Sequence, residues 1–455
     1  MRELDECTAE VFRRSEKRIE QRRRTRIRIL ALCIPFCLIA AVWSILPGRT
    51  AEMFSMKVQA KDLMKGIRPN KVSAPDELGT HNADVTDFAV RLFKASEKSG
   101  ENTLISPLSV LCALAMTANG AEEETLEQME AVLGMTTEDL NLYLYSYTKS
   151  LPQGEKYKLS LANSIWFTED KRFTVNQDFL QANADYYGAD IYQTPFNGQT
   201  CKDINNWVKQ KTDKMIPKIL DQVPPEDFTV MYLVNALAFE AEWSRIYKKN
   251  QVRDGKFTKE DGTKQEVKFM YSSEGTYLED EKATGFVKHY KDNKYAFVAM
   301  LPNEGVSVSD YITFLDGKSL SAMLANPQYD TVETSIPKFE TEYCVEMSEI
   351  LKEMGMPKAF DPDNAEFNGL GDFVPDDLSQ GNIYIDSVLH KTFISIDEKK
   401  TKAGAVTIFK MTDGAPGPQE PKRVYLDRPF VYMLIDCENN IPFFIGTMMD
   451  VEKQT

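Results

Sequence analysis

The sequence predicts an α+β fold: a sheet assembled from well-separated strands, helices packed on it, and one segment able to serve as loop or strand. Three stretches carry this reading. Residues 230–247, V-M-Y-L-V-N-A-L-A-F-E-A-E-W-S-R-I-Y, open with a near-continuous apolar run, the mark of a strand buried on both faces. Residues 102–116, N-T-L-I-S-P-L-S-V-L-C-A-L-A-M, begin as a strand and turn at Ser106-Pro107. They continue as a helix capped by Ser106, with Pro107 just inside it. That helix is apolar all round, which places it in the core. The third stretch, 396–407 with its tail, separates at period two. Thr401, Ala403, Ala405, Thr407, Phe409 and Met411 share a small or apolar face; Lys400, Lys402, Gly404, Val406, Ile408 and Lys410 share the other, which takes every charge. This strand pattern runs straight into D-G-A-P-G-P-Q-E-P at 413–421, which no sheet interior accepts, because proline cannot donate to a ladder. A segment of two possible states suggests a switch.

Composition sets the bounds. The 455 residues are 42% hydrophobic, ample for a globular core. A net charge of −15 argues against a nucleic-acid partner, which needs a basic face. The seven cysteines form no C-x-x-C pair, so neither a zinc site nor a disulfide framework is indicated. His81, His289 and His390 are too far apart in sequence to suggest a metal cluster. There is no G-x-S-x-G, H-E-x-x-H, P-loop or Rossmann fingerprint, so no enzyme chemistry and no cofactor is indicated.

Along the chain, residues 1–28 form a polar tail with ten Arg or Lys, crowded into R-R-R-T-R-I-R at 22–28. Residues 29–46 are free of charge, near the lower length limit for a membrane span. The basic cluster before them predicts a cytoplasmic tail, a single-pass signal-anchor at 29–46 and everything later outside the cell. The alternative is a cleaved signal peptide and secretion, although no small-x-small site follows. Residues 47–77 read as a tether and 78–455 as the folded domain. Helical spacing marks 82–96 and 178–187, while 159–167 and 189–195 read as strands. Residues 204–220 are helix and turn. Alternating strands fill 255–301, then come a helix at 308–324, a strand at 331–339 and a helix at 343–354. Residues 383–390 are helix-like, 391–397 is a strand leading into the switch segment, and 430–436 and 443–449 close the chain as strands.

The motif D-E-K-x-T-x-A-x-A-x-T, followed by Arg428-Pro429-Phe430 and then Pro442, Phe444 and Gly446, resembles the reactive-loop region of the serpins. N-x-x-x-S-P-x-S at 102–109 and L-A-N-S-I-W-F at 161–167 extend the resemblance to roughly residues 80–450. It implies a large central sheet, two smaller sheets, about nine helices and an exposed reactive loop at 398–428. It also implies an inhibitor of serine proteases rather than an enzyme, which with the anchor at 29–46 would act outside the cell, and a monomer is expected. Ser106, Ser109, Asn235 and His390 match the shutter beneath the centre of the main sheet. Trp243 matches the breach at its top.

The implied mechanism is suicide inhibition. A protease cuts the loop, becomes acyl-linked to the new C-terminus, and is carried away as the freed strand enters the sheet. About fourteen residues at ~3.3 Å each span roughly 45 Å. Insertion demands a small inward face, and the hinge residues Thr401, Ala403, Ala405 and Thr407 after Glu398 satisfy it. Lys400 departs from the family, whose inhibitory members usually carry Gly there; a glycine frees the hinge. This favours, as alternative, a non-inhibitory serpin that binds or chaperones. The family's spacing from Glu398 lands on Gly414–Ala415, suited to an elastase-like or subtilisin-like protease. Met411–Thr412 and Lys410–Met411 remain alternatives, the latter suited to a trypsin-like one.

Overall fold

A computed structural model describes residues 57–73, 81–222, 231–374, 382–398 and 420–451. Sheet A consists, from edge to edge, of β1 (Lys61–Asp62), β5 (Asp190–Thr194), β3 (Tyr157–Thr168), β6 (Met231–Ala241), β15 (Ser387–Ile396) and β13 (Phe339–Glu346). Sheet B is β2 (Thr103–Ile105), β18 (Ile441–Met448), β17 (Phe430–Asp436), β11 (Tyr295–Pro302), β10 (Ala283–His289) and β9 (Tyr277–Glu279). Sheet C is β16 (Lys422–Tyr425), β12 (Val332–Pro337), β8 (Lys264–Glu274) and β7 (Val252–Thr258). A two-stranded ribbon, β4 (Phe173–Val175) with β14 (Gly371–Phe373), adds to the three sheets expected.

Nine α-helices lie among the described residues. They are α1 (Asn82–Ser96), α2 (Pro107–Ala118), α3 (Glu123–Leu133), α4 (Thr137–Ser150), α5 (Gln177–Tyr187), α6 (Gly198–Lys211), α7 (Val308–Phe314), α8 (Gly317–Ala325) and α9 (Ser348–Met354). All twelve residues of α2 are buried, and its Ser106 cap accepts from the Ser109 N–H at 3.2 Å. The helix expected at 308–324 is two helices, α7 and α8, because Leu315 leaves the helical region and Asp316 caps a new start.

Two layers sandwich sheet A. On its back, Leu233, Leu237 and Phe239 of β6 join the main core with α2 and sheet B. On its front, Tyr232, Val234, Ala236 and Ala238 meet Ile204, Trp207 and Val208 of α6 and the Ile216–Leu220 turn. Gly446 on β18 allows two strands to close up: a Cβ there would lie 2.5 Å from the Thr103 carbonyl and 2.9 Å from the Tyr432 ring.

Three expectations are corrected. Residues 383–390 are not helix-like: 387–396 is β15, and a strand buried on both faces shows no period of two. Residues 343–354 are not one helix, since β13 runs to Glu346 and only α9 follows. Within the expected tether, 57–73 lies against the domain. β1 pairs antiparallel with β5, the Leu63 N–H donates to Ile191 O at 2.9 Å, and Leu63, Met64 and Ile67 pack on the core. The anchor at 29–46 lies outside the described residues; among those, no helix is long and apolar enough to cross a membrane.

Candidate functional site: the seam of sheet A

The centre of sheet A is a parallel pair. β6 and β15 face each other from Ser387↔Tyr232 to Phe393↔Ala238, while each is antiparallel to its outer neighbour, β3 or β13. This parallel seam is the point at which an antiparallel strand could enter and pair with both sides. β15 ends at Ile396, immediately before the switch segment, so a chain turning back there has the required direction.

A polar row crosses the back of the seam at mid-height. Asn163 of β3 faces Asn235 of β6, which faces His390 of β15. His390 is fully buried, and its Nε2 accepts from the Ser106 N–H at 3.0 Å. That leaves the proton on Nδ1, which donates to Asn235 Oδ1. The Ser109 hydroxyl reaches the same oxygen at 3.4 Å. Burial holds the His390 imidazole neutral, with its pKa pushed down to about 3. Both ring nitrogens are therefore committed to structural bonds, and the Ser106 hydroxyl is committed to its cap. The predicted shutter residues come together, at the N-terminus of the helix whose cap the sequence showed.

The top of the seam is closed by Trp243. Its indole lies flat on Tyr290, 4.3 Å between centroids and 8° between planes, and its Nε1 donates to Asp397 O at 2.9 Å. The next residue, Glu398, pairs with Lys338 at 2.6 Å. Asp397 and Glu398 are thus tied to the residues just beyond β6 and to the link between β12 and β13. Of the other predicted residues, Lys400, Thr401, Ala403, Ala405, Thr407, Lys410, Met411, Gly414 and Ala415 lie outside the described residues.

Sequence reasoning missed Lys391. It is 1% exposed on the front of β15, donates to Lys218 O at 2.5 Å, and pairs with Glu342 of β13. It thereby pins the turn after α6 over the seam. The only available signal was a lysine beside a histidine in a stretch, 387–396, with no other charge. Asn163, Lys338 and Tyr290 were missed as well, since each joins the site across a long sequence separation.

Comparison with known proteins decides the family. The family model described as serpin (serine protease inhibitor) matches residues 83–451. The chain is a serpin. A serpin-like protein of Thermococcus kodakarensis is 28% identical over 378 residues, covering 80% of this chain and 84% of the relative. Leukocyte elastase inhibitor of Equus caballus is 27% identical over 390 residues, covering 82% and 98%. The crystal structure of tengpin, a thermophilic serpin, in its native state is 50% identical and covers 87% of this chain and all of that one, with a TM-score of 0.80. Its latent-state structure gives 0.71 at 46% identity, covering 84% of this chain and all of that one. Serpins are in general protease inhibitors directed at serine proteases, and the fold of this chain, with its sheets and nine described helices, is theirs.

Proposed function

We propose that this serpin inhibits serine proteases by the insertion mechanism, using the reactive loop at 398–428 as bait. The observation that carries the proposal is the seam: two parallel strands directly paired, one of them running into the bait, held by bonds that an entering strand would replace. The protease serine attacks a carbonyl in the bait, the peptide bond breaks, and the amine leaves with the C-terminal part. The N-terminal part stays esterified to the protease. It enters between β6 and β15, carrying the protease before water hydrolyses the ester.

Gly414–Ala415 is the favoured scissile bond, with Met411–Thr412 and Lys410–Met411 as alternatives. The targets are elastase-like or subtilisin-like enzymes; one relative is named for inhibiting leukocyte elastase. In this proposal residues 29–46 anchor the chain with its serpin domain outside the cell, or are removed on secretion. A non-inhibitory serpin is the second reading, favoured by Lys400 alone.

The test mixes the full chain in detergent with elastase-, subtilisin- and trypsin-like proteases and runs denaturing gels. A covalent band at the summed mass establishes inhibition, and the released peptide's first residue fixes the bond. Cleavage without that band across the panel would support the second reading. In the variant Lys400→Gly, a freer hinge should raise the trapped fraction over the cleaved fraction. An unchanged ratio would show that the hinge does not limit insertion.

A further inference from the structure

The docked segment 57–73 carries Lys57, Lys61, Lys65, Arg68 and Lys71 against one carboxylate of its own, Asp62. All five cations are exposed, while Leu63, Met64 and Ile67 between them pack on the core. Lys61 donates to the Gln193 side chain at 2.9 Å, and none of the five is paired with a carboxylate among the described residues. Two further carboxylates touch the segment, and its own backbone occupies both. Asp185 of α5 accepts from the Asn70 N–H at 2.7 Å, and the buried Asp203 of α6 accepts from the Ala60 N–H at 2.9 Å. Docking thus lays a strip of cations along the outer edge of sheet A, where β1 lies. Solubility does not call for it, since a chain of net charge −15 is already far from neutral.

Strand directions orient the strip. β1 is antiparallel to β5, β5 parallel to β3, β3 antiparallel to β6, and β6 parallel to β15. β1 therefore runs the same way as β15, toward the bait, and Lys57 enters at the opposite end of the sheet. We propose that this strip seats the domain on the anionic headgroups of the membrane that holds residues 29–46, with the bait end remote from the anchor. The inference rests on the anchor reading. Chain length identifies the occupant. Residues 47–56 separate the apolar run from Lys57, and ten residues reach at most ~36 Å. Attraction of basic segments to an anionic surface acts within a Debye length, ~8 Å at physiological ionic strength. A short tether holds the strip at high effective concentration beside that surface, so contacts that are weak one by one suffice together. Sheet A then rests along its β1 edge, and the bait stays open to proteases arriving from solution.

The experiment reconstitutes the full chain in vesicles of phosphatidylcholine, with and without phosphatidylglycerol. Lysines are acetylated by a reagent that does not cross the bilayer, and each site is followed by mass spectrometry. Lys57, Lys65 and Lys71 report the strip. Lys256 of β7 and Lys318 of α8, both exposed, serve as the reference. Relative to that reference, the strip lysines should react about fivefold or more slowly on the anionic vesicles, and high salt should abolish the protection. In Lys57→Gln/Lys65→Gln/Arg68→Gln/Lys71→Gln, Lys61 should react on anionic vesicles as fast as on neutral ones. Equal strip rates on the two vesicles would overturn the proposal. So would protection by soluble heparin without protection by anionic vesicles, which would assign the strip to a soluble polyanion. Flotation with neutral vesicles in high salt tests the anchor by itself. A chain that stays behind sinks the anchor reading, and flotation with anionic vesicles at low salt then still decides the strip. Matching melting temperatures exclude misfolding of the variant.

Discussion

At the residue scale, His390 ties proton uptake to the closed seam. Unfolded, it titrates at its ordinary value of ~6.5; folded, burial holds its pKa at about 3. Between those values the unfolded chain takes up a proton that the native protein refuses, so stability rises with pH through this window and is lost as pH falls. The loss amounts to at most ~1.4 kcal/mol per pH unit. Between pH 6.5 and 5 the apparent melting temperature at fixed scan rate should fall less steeply for His390→Gln than for wild type. His289, also depressed by burial, is common to both proteins and cancels in the comparison. Parallel slopes would mean that His390 is not the titrating group. Trp243 illustrates what residue identity alone leaves open: a tryptophan after a buried strand reads as core, and only its N–H on Asp397 O makes it a latch.

At the element scale, β15 does two jobs with adjacent side chains. His390 holds it from behind, and Lys391 holds the turn after α6 from in front. The Lys391 ammonium is buried while its partner Glu342 is 41% exposed and can hydrate when left alone. Replacing both members of a buried ion pair by apolar side chains is often neutral or stabilising by about 1–4 kcal/mol, whereas removing one partner is destabilising. Lys391→Met should therefore lower the apparent melting temperature, mainly through the lost bond to Lys218 O, and an unchanged or raised midpoint would show that desolvation of the ammonium outweighs that bond. The same strand shows what was legible in the sequence. β6 was readable because eleven residues with one exposed position leave no alternative to a doubly buried strand. α2 was readable from its Ser106 cap and Pro107. β15 was half misread, because Val388 to Thr392 are all buried and the pattern carries no period. The start of β13 hid for the opposite reason: Phe339 to Glu342 alternate as an edge strand should, but the spacing beyond Tyr343 also suits a helix. Docking of 57–73 was only half legible: Leu63, Met64 and Ile67 pack on the core, but the pairing of β1 with β5 is made by backbone groups, which side-chain patterns do not report.

At the scale of the whole molecule, entry of one strand would exchange a single parallel ladder for two antiparallel ones, which pair slightly better per residue. Limited digestion of the bait should raise the apparent melting temperature by about 20 °C or more, roughly 5–10 kcal/mol at ~2–4 °C per kcal/mol. An unchanged midpoint after complete cleavage would mean that the freed segment stays out. The arrangement of sheet A has a further consequence, for life at high concentration. An open sheet edge invites strands from neighbouring molecules. Here one outer edge, β5, is occupied by the protein's own β1, and the other, β13, turns the exposed charges Glu340 and Glu342 outward. Both borders thus carry features that discourage a foreign strand. The interior seam is closed only by bonds that must also yield to the protein's own strand in the proposed mechanism. If the proposed insertion operates, the place where sheet A opens to its own strand is also the place where it opens to a neighbour's.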